Sequence, residues 1–169
     1  MGTEKRHFCK NAHSIMADEL EYLQEISGFF KRMNVKIKLI GLINKAKEEY
    51  DKFDFSSCSN SLEEAYSLDP NNPVVLRGLG SLKQFEKDYD KAIEYYQKAL
   101  EHSDMKEVEY TLIGMSYYLQ DKLDDAVKYF NFAIDENEDY TSAYEGRNQA
   151  MLENHVKILD LQESLKKYF

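Results

Sequence analysis

Residues 89–96 read YDKAIEYY, and residues 123–130 read LDDAVKYF, at an offset of 34 residues. Within each stretch the recurring small and aromatic residues lie three and four positions apart, which is the spacing of one helix face. A period of this length predicts a repeated pair of helices, because one pair cannot bury its own apolar face but stacked pairs can. Other pairs at this offset are Leu76 and Tyr110, Leu79 and Ile113, Gly80 and Gly114, and Ala99 and Ala133.

The spacing and the small and aromatic positions together resemble the tetratricopeptide repeat (TPR) family. Residues 73–106 and 107–140 follow the family pattern well, whereas residues 39–72 carry Lys45 and Glu49 where apolar residues are expected. The resemblance implies an all-α fold, a right-handed superhelical array of TPR helix pairs. It also implies that small residues are buried between helices. These are Ala92 and Ala126, with Cys58 in the equivalent position of the first repeat.

The sequence divides into three regions on this interpretation. Residues 1–38 form an N-terminal tail and an amphipathic helix, residues 39–140 form three TPR units (39–72, 73–106 and 107–140), and residues 141–169 form a degenerate repeat. The last region is predicted to be either a closing hairpin or one long capping helix, because terminal repeats commonly lose their consensus.

The N-terminal helix is predicted from Ala17 to Met33, with a short connection after Met33. The first repeat is predicted either to be tilted or to start a longer helix that runs back toward Val35. The apolar stripe of the N-terminal helix is too large to stay exposed, since each large side chain contributes roughly 1.5–3 kcal/mol when buried. Two surfaces could cover it. One is the open edge of the first repeat around Leu42, which the short connection favours, and the other is the groove around Leu112 and Tyr118, in the same molecule or a neighbour. The stripe consists of Leu20, Leu23, Ile26, Phe30 and Met33.

The excess of acidic residues indicates which class of partner the chain can bind. The chain has 22 Lys and Arg against 31 Asp and Glu, a net charge of −9. Residues 73–140 alone carry 8 basic and 15 acidic side chains. Such a surface repels phosphates, so nucleic acid is not an expected partner, and basic or neutral polypeptides are favoured. The longest apolar run, residues 39–43, is far shorter than a membrane span, so we expect a cytoplasmic protein that does not enter a membrane.

The chemically reactive residues predict neither an enzyme nor a cofactor site. His7, Cys9 and His13 lie close together, but a zinc site usually needs a further ligand cluster, and none is present. Cys58 occupies a small-residue packing position, which favours a buried structural cysteine over a nucleophile. No nucleophile and base can be paired from the sequence. We therefore expect no catalytic residues, no metal and no cofactor.

TPR arrays of this kind commonly bind peptides along the first helix of each pair, on the face opposite the packing residues. The candidate groove residues follow from that resemblance and from helical spacing. The middle repeat supplies an apolar surface ringed by acids, which suits an apolar or amphipathic segment with a few basic residues. The candidates are Val74, Arg77, Ser81, Gln84, Val108, Thr111, Leu112, Met115, Tyr118, Glu145 and Gln149.

One TPR subfamily clamps the C-terminal carboxylate of chaperone tails with the pattern Lys-x-x-x-Asn, Asn, and Lys-x-x-x-Arg in successive repeats. Among the equivalent pairs here, only Arg77 is a suitable cation, so this sequence departs from the clamp. The equivalent pairs are Ile43 and Lys47, Arg77 and Ser81, Thr111 and Met115, and Glu145 and Gln149.

The sequence therefore predicts a non-enzymatic protein–protein interaction module, an adaptor or scaffold that binds a polypeptide segment in the TPR groove. Two alternatives stay open. The array could self-associate into a homo-oligomeric scaffold through its terminal helices, or it could be the regulatory TPR portion of a larger enzyme.

Overall fold

The structure, a computed structural model, describes the backbone of residues 2–166 and the side chains of residues 21–166. All seven elements in these residues are α-helices. The chain divides after Gly41 into two compact units. The helices are α1 (Gly2–Asp51), α2 (Phe55–Leu68), α3 (Pro73–Phe85), α4 (Tyr89–Leu100), α5 (Lys106–Leu119), α6 (Leu123–Glu136) and α7 (Thr141–Lys166).

The unit that begins at Leu42 is a linear stack of helices. From α2 onward each helix packs against the next one in the chain, and α5 also contacts α7. The all-α TPR array predicted from the sequence is therefore confirmed. Ala92 and Ala126 are fully buried and Cys58 is buried with a free thiol, as the repeat positions predict.

Two aromatic rings fill the space between helices in the second and third pairs. Tyr96 and Phe130 are fully buried. A β-carbon placed on Gly80 would come within 2.5 Å of the Tyr96 ring, and one placed on Gly146 would come within 2.5 Å of the Phe130 ring. Glycine is thus needed at these positions because each ring lies directly on the backbone of a neighbouring helix.

The turn inside each helix pair has the same backbone conformation. Phe53, Lys87 and Asp121 adopt φ values of 61°, 63° and 65°, in the left-handed region. The helix that follows begins with an N-cap carboxylate in two cases, since Asp54 accepts a hydrogen bond from the Ser57 amide at 3.1 Å and Asp88 accepts one from the Lys91 amide at 3.4 Å. Such caps terminate the turn and stabilise the next helix.

The first helix differs from the sequence prediction. The connection expected after Met33 is absent, because α1 continues without a break to Asp51. The stretch from Lys31 to Asp51 lacks proline and is rich in Lys, Leu, Ile and Glu, so nothing in it stops a helix. At the other end, α7 runs as a single helix from Thr141 to Lys166 rather than as a hairpin.

The apolar stripe of the N-terminal helix is exposed. The side chains of Leu23 and Phe30 are more than half accessible, and Met33 is also exposed. Within the described part of a single chain the stripe is accessible, and the surface that covers it stays a prediction. Leu20, which belongs to the predicted stripe, lies outside the residues whose side chains are described.

Candidate functional site

A pocket of about 310 Å³ lies among the end of α1, α2 and α3. Its lining includes the exposed residues Lys47, Tyr50 and Val74, so the pocket is open to solvent. Most of the lining atoms belong to apolar side chains, which suits an apolar ligand group. The lining residues are Ile43, Ala46, Lys47, Tyr50, Cys58, Leu62, Val74, Arg77, Gly78 and Ser81.

The pocket exists because the first helix pair lacks an aromatic ring. Leu62 occupies the position at which the second and third pairs carry Tyr96 and Phe130, at the offset of 34 residues. Leucine is smaller than either ring, and its side chain turns toward Gly78, where an added β-carbon would come within 2.9 Å of it. The volume that an aromatic ring fills in the other pairs is therefore left open here.

The thiol of Cys58 lies in the wall of this pocket. Its pKa is raised, first by burial and then by the nearby carboxylates of Glu49 and Asp54. A raised pKa keeps the sulfur in the neutral thiol form, which is a weak nucleophile. Cys58 therefore acts as a packing residue that lines the pocket.

Arg77 forms an ion pair across neighbouring repeats. Its Nη2 donates to Oε1 of Glu109 at 2.5 Å, and its Nε lies 3.2 Å from Oε2. Glu109 is fully buried, whereas the Arg77 side chain is partly exposed. The guanidinium is thus held as the counter-charge of a buried carboxylate, and it is not a free cation for a ligand carboxylate.

Lys47 supplies the pocket with a positive charge that is not neutralised. Its side chain is exposed, and among the described side chains it has no ion-pair partner within 4.0 Å. It lies on α1 at the position equivalent to Ser81 of the next repeat. In the sequence, Lys47 stands out only as one member of the pair that departs from the chaperone-clamp pattern.

Ser81 and Gln84 are tied to the core rather than left free. The Tyr96 hydroxyl donates to Oε1 of Gln84 at 2.9 Å and lies 3.3 Å from the Ser81 hydroxyl. Burial raises the pKa of Tyr96 to about 12, so the phenol stays protonated and keeps this bond. Gln84 therefore fixes the ring that it contacts, while Ser81 also lines the pocket.

The candidate residues on α5 and α7 occupy varied environments. Thr111 is buried, and Leu112 packs against the core cluster around Tyr96 and Ile113. The Tyr118 hydroxyl donates to Glu153 at 2.6 Å, and this bond raises the pKa of Tyr118. Val108 and Met115 are half-buried, as are Leu112 and Tyr118, and Glu145 and Gln149 are exposed.

The structure thus brings Val74, Arg77 and Ser81 together in one pocket wall, and it ties Gln84 and Tyr118 to other side chains. The predicted set missed Ala46, Tyr50, Cys58 and Leu62 as lining residues. One signal in the sequence points to them: Leu62 stands at the repeat position where the other two pairs carry an aromatic ring.

The described residues contain neither a cluster of metal-binding side chains nor a helix that could span a membrane. Over residues 21–166, no group of three or more His, Cys, Asp or Glu side chains is arranged to hold a metal ion. The cluster of His7, Cys9 and His13, which the sequence does not favour as a metal site, lies outside those residues. None of the described helices has a sufficiently long apolar segment to cross a membrane.

Residues 78–101 match the sequence profile described as "Tetratricopeptide repeat". The match covers the second half of α3 and all of α4, which are the elements around Gly80 and Tyr96.

Solved structures share the fold at low sequence identity. The first TPR of Spaghetti (RPAP3), bound to the HSP90 peptide SRMEEVD, has a TM-score of 0.63 and 16% identity over 70% of this chain and 94% of that chain. The first TPR domain of human RPAP3 has a TM-score of 0.64, also at 16% identity, over 70% and 94% of the two chains. An O-GlcNAc transferase mutant from Thermobaculum terrenum has a TM-score of 0.65 and 17% identity over 69% of this chain and 22% of that one. The same helix array thus occurs in isolated domains and inside a much longer enzyme chain.

Proposed function

Since the chain belongs to the tetratricopeptide-repeat family, we propose that it is a non-enzymatic interaction module that binds a polypeptide segment along α3 and α5, anchored in the pocket beside Leu62. Its partner is another protein or peptide, it needs no cofactor, and it acts in the cytoplasm. The observation that supports this proposal is the apolar pocket of about 310 Å³ at the candidate residues Val74, Arg77 and Ser81.

The anchor of the bound segment is one large apolar side chain, preferably aromatic. The first helix pair has Leu62 where its neighbours carry Tyr96 and Phe130, so a ligand ring would occupy the equivalent space. Burying a ring of this size is a large favourable contribution to binding. A partner ring would therefore complete the packing of the first pair.

The charges around the pocket determine which residue types of the bound segment should lie next to its apolar anchor. Lys47 is exposed and unpaired among the described side chains, so it favours an acidic residue next to the anchor. Beyond the pocket, the 15 acidic residues of segment 73–140 favour basic residues in the bound peptide. The bound segment thus has an apolar anchor, an acidic residue beside it and basic residues farther along.

A chaperone C-terminal tail is a poorer fit. The Spaghetti domain binds the peptide SRMEEVD. Recognition of a terminal carboxylate requires several free cations, and among the lining side chains of this pocket only Lys47 is unpaired, since the Arg77 charge is held by Glu109 at 2.5 Å. We therefore expect SRMEEVD to bind this chain more weakly than peptides that carry an aromatic anchor.

Peptide selection tests the proposal. Random peptides displayed on phage are selected on the full chain, and the affinity of the recovered peptides is measured by fluorescence anisotropy with SRMEEVD as a reference. Val74→Glu should weaken the recovered peptides by about tenfold or more, because it places a charge against the apolar anchor. Val156→Glu is the matched control, since Val74 and Val156 are 44% and 47% exposed on helices.

Equal affinity for the Val74→Glu variant and the unmodified chain would contradict the proposed site. Met115→Glu then tests how far the segment extends, because Met115 lies half-buried on α5. A loss of affinity with this variant as well indicates that the peptide crosses onto the third repeat. A loss only with Met115→Glu would move the anchor away from the pocket.

A further inference from the structure

Three phenylalanine rings, those of Phe53, Phe55 and Phe85, form an aromatic patch at the turn of the first helix pair. The half-buried Phe55 is at its centre, since its ring centroid lies 4.0 Å from that of Phe85 and 6.2 Å from that of Phe53. Phe53 and Phe85 are 79% and 58% exposed. Interfaces are enriched in aromatic residues, so grouped and exposed rings of this kind mark an interaction surface.

The repeat itself does not require an aromatic residue at this turn. Phe53 has a φ of 61°, and Lys87 and Asp121 have the same conformation in the next two pairs. Polar side chains therefore suffice to form the turn. The Phe53 ring meets the Phe55 ring edge-on, at an angle of 76°, and leaves most of its surface to solvent. Because so little of this ring is buried, it contributes little to the fold, and its apolar surface is available to a partner.

The aromatic patch is continuous with the pocket beside Leu62. Tyr50 lines the pocket, and its ring centroid lies 5.5 Å from that of Phe55. On α3 the pocket residue Gly78 precedes Phe85 by seven residues, which is about 10.5 Å at the usual helical rise. A bound segment that fills the pocket can therefore reach the patch with a second side chain about 10 Å from the first.

This separation restricts the backbone conformation of the bound segment. A ligand helix packed along α3 has the same rise per residue, so its side chains seven residues apart lie on one face at about 10.5 Å. In an extended strand the side chains on one face are two or four residues apart, at roughly 7 or 13 Å, and neither distance matches. A polyproline II segment would come closer, since its side chains three residues apart lie at about 9 Å.

The apolar walls of the pocket favour the α-helix over the polyproline II form. An α-helix makes its own backbone hydrogen bonds, whereas a polyproline II segment makes none and loses water when it is buried against apolar side chains. We propose that the bound segment is an amphipathic α-helix with two large apolar residues seven positions apart. The first residue fills the pocket beside Leu62, and the second lies on the aromatic patch. This inference rests on the proposed function and adds the conformation and the second anchor of its partner.

The peptides selected on the full chain by phage display test this inference. The recovered sequences should share two large apolar residues seven positions apart, and replacing either one with alanine should weaken binding by about tenfold. Phe53→Gly should also weaken the recovered peptides by about tenfold, because it removes the most exposed ring of the patch. Lys87→Gly is the matched control, since Lys87 has a φ of 63° at the equivalent turn. It should change the affinity by less than about twofold.

Thermal unfolding separates an effect on binding from an effect on the fold. Neither glycine variant should unfold at a lower temperature than the unmodified chain, because glycine adopts a positive φ without strain. Equal losses of affinity with Phe53→Gly and Lys87→Gly would assign the effect to the turn rather than to the ring, and would overturn the inference.

Val74→Glu distinguishes a failure of this inference from a failure of the proposed function. If Val74→Glu weakens the peptides and Phe53→Gly does not, the second anchor is wrong and the pocket remains the site. If neither variant has an effect, both proposals are wrong, and if only Phe53→Gly has one, the pocket is not the first anchor. Recovered peptides with a single apolar residue, or with two residues three positions apart, would also overturn the helical segment with two anchors.

Discussion

Replacing Arg77 with methionine should lower the free energy of unfolding by about 3–5 kcal/mol, because it leaves the buried Glu109 carboxylate without a counter-charge. The Nη2–Oε1 distance of 2.5 Å and the full burial of Glu109 distinguish this pair from the exposed ion pairs on the helix surfaces. Surface pairs contribute roughly 0–1 kcal/mol, since water screens them. Urea unfolding followed by circular dichroism gives the difference directly.

A double variant separates the buried charge from the loss of the arginine side chain. Arg77→Met combined with Glu109→Leu should recover most of the lost stability, because an apolar pair of similar volume often replaces a buried ion pair without loss. Arg147→Met is the control, since Arg147 is partly buried but donates to the neutral Asn131 at 3.2 Å. It should cost no more than about 1.5 kcal/mol, the usual contribution of one hydrogen bond. If Arg77→Met and Arg147→Met cost the same, the ion pair is not important for stability.

Replacing Phe130 with alanine should also lower the free energy of unfolding by about 3–5 kcal/mol, because the ring is fully buried and leaves a cavity. The ring lies against Gly114 of α5 and Gly146 of α7, so its loss loosens three helices at once. Amide hydrogen exchange in α7 should accelerate more than exchange in α3, because the buried side chains that α7 itself contributes are the small residues Ala143 and Ala150.

Phe132 provides the matched control for Phe130 two positions away on α6. It is 38% exposed and contacts the rings of Tyr110 and Tyr129 at its edge. Phe132→Ala should therefore cost only about 1–2 kcal/mol, from lost aromatic contacts. Similar costs for the two substitutions, or unchanged exchange in α7, would contradict the role given to Phe130.

The sequence predicted the repeat packing correctly because that packing depends on short-range spacing. Ala92 and Ala126 are buried, as small residues at a fixed position of a 34-residue period must be when helix backbones approach closely. The break predicted after Met33 was wrong for a related reason. The apolar stripe of residues 20–33 gives way to repeat positions only from Leu39 onward, and this change of spacing lies inside one continuous helix.

The candidate site was less predictable, because helical spacing gives the face of a residue but not its partners. Arg77 and Glu109 are 32 residues apart in the sequence, and only the stacking of α3 on the helices that follow brings them together. In the same way Tyr118 is joined to Glu153 across 35 residues. The pocket beside Leu62 arises from a missing ring, which only a comparison among equivalent positions reveals.

The three left-handed turns suggest how this array tolerates sequence drift. Phe53, Lys87 and Asp121 recur at intervals of 34 residues, and none of them is the glycine or asparagine that this region of φ favours. Aspartate adopts this region occasionally, whereas for residues such as Phe53 and Lys87 the conformation costs roughly 1–2 kcal/mol, so the stacking of the pairs imposes it against local preference. Replacing Phe53 or Lys87 with glycine would remove this cost, because glycine adopts a positive φ without strain. Each such turn is therefore a position at which one substitution outside the helices can offset a destabilising change elsewhere in the array.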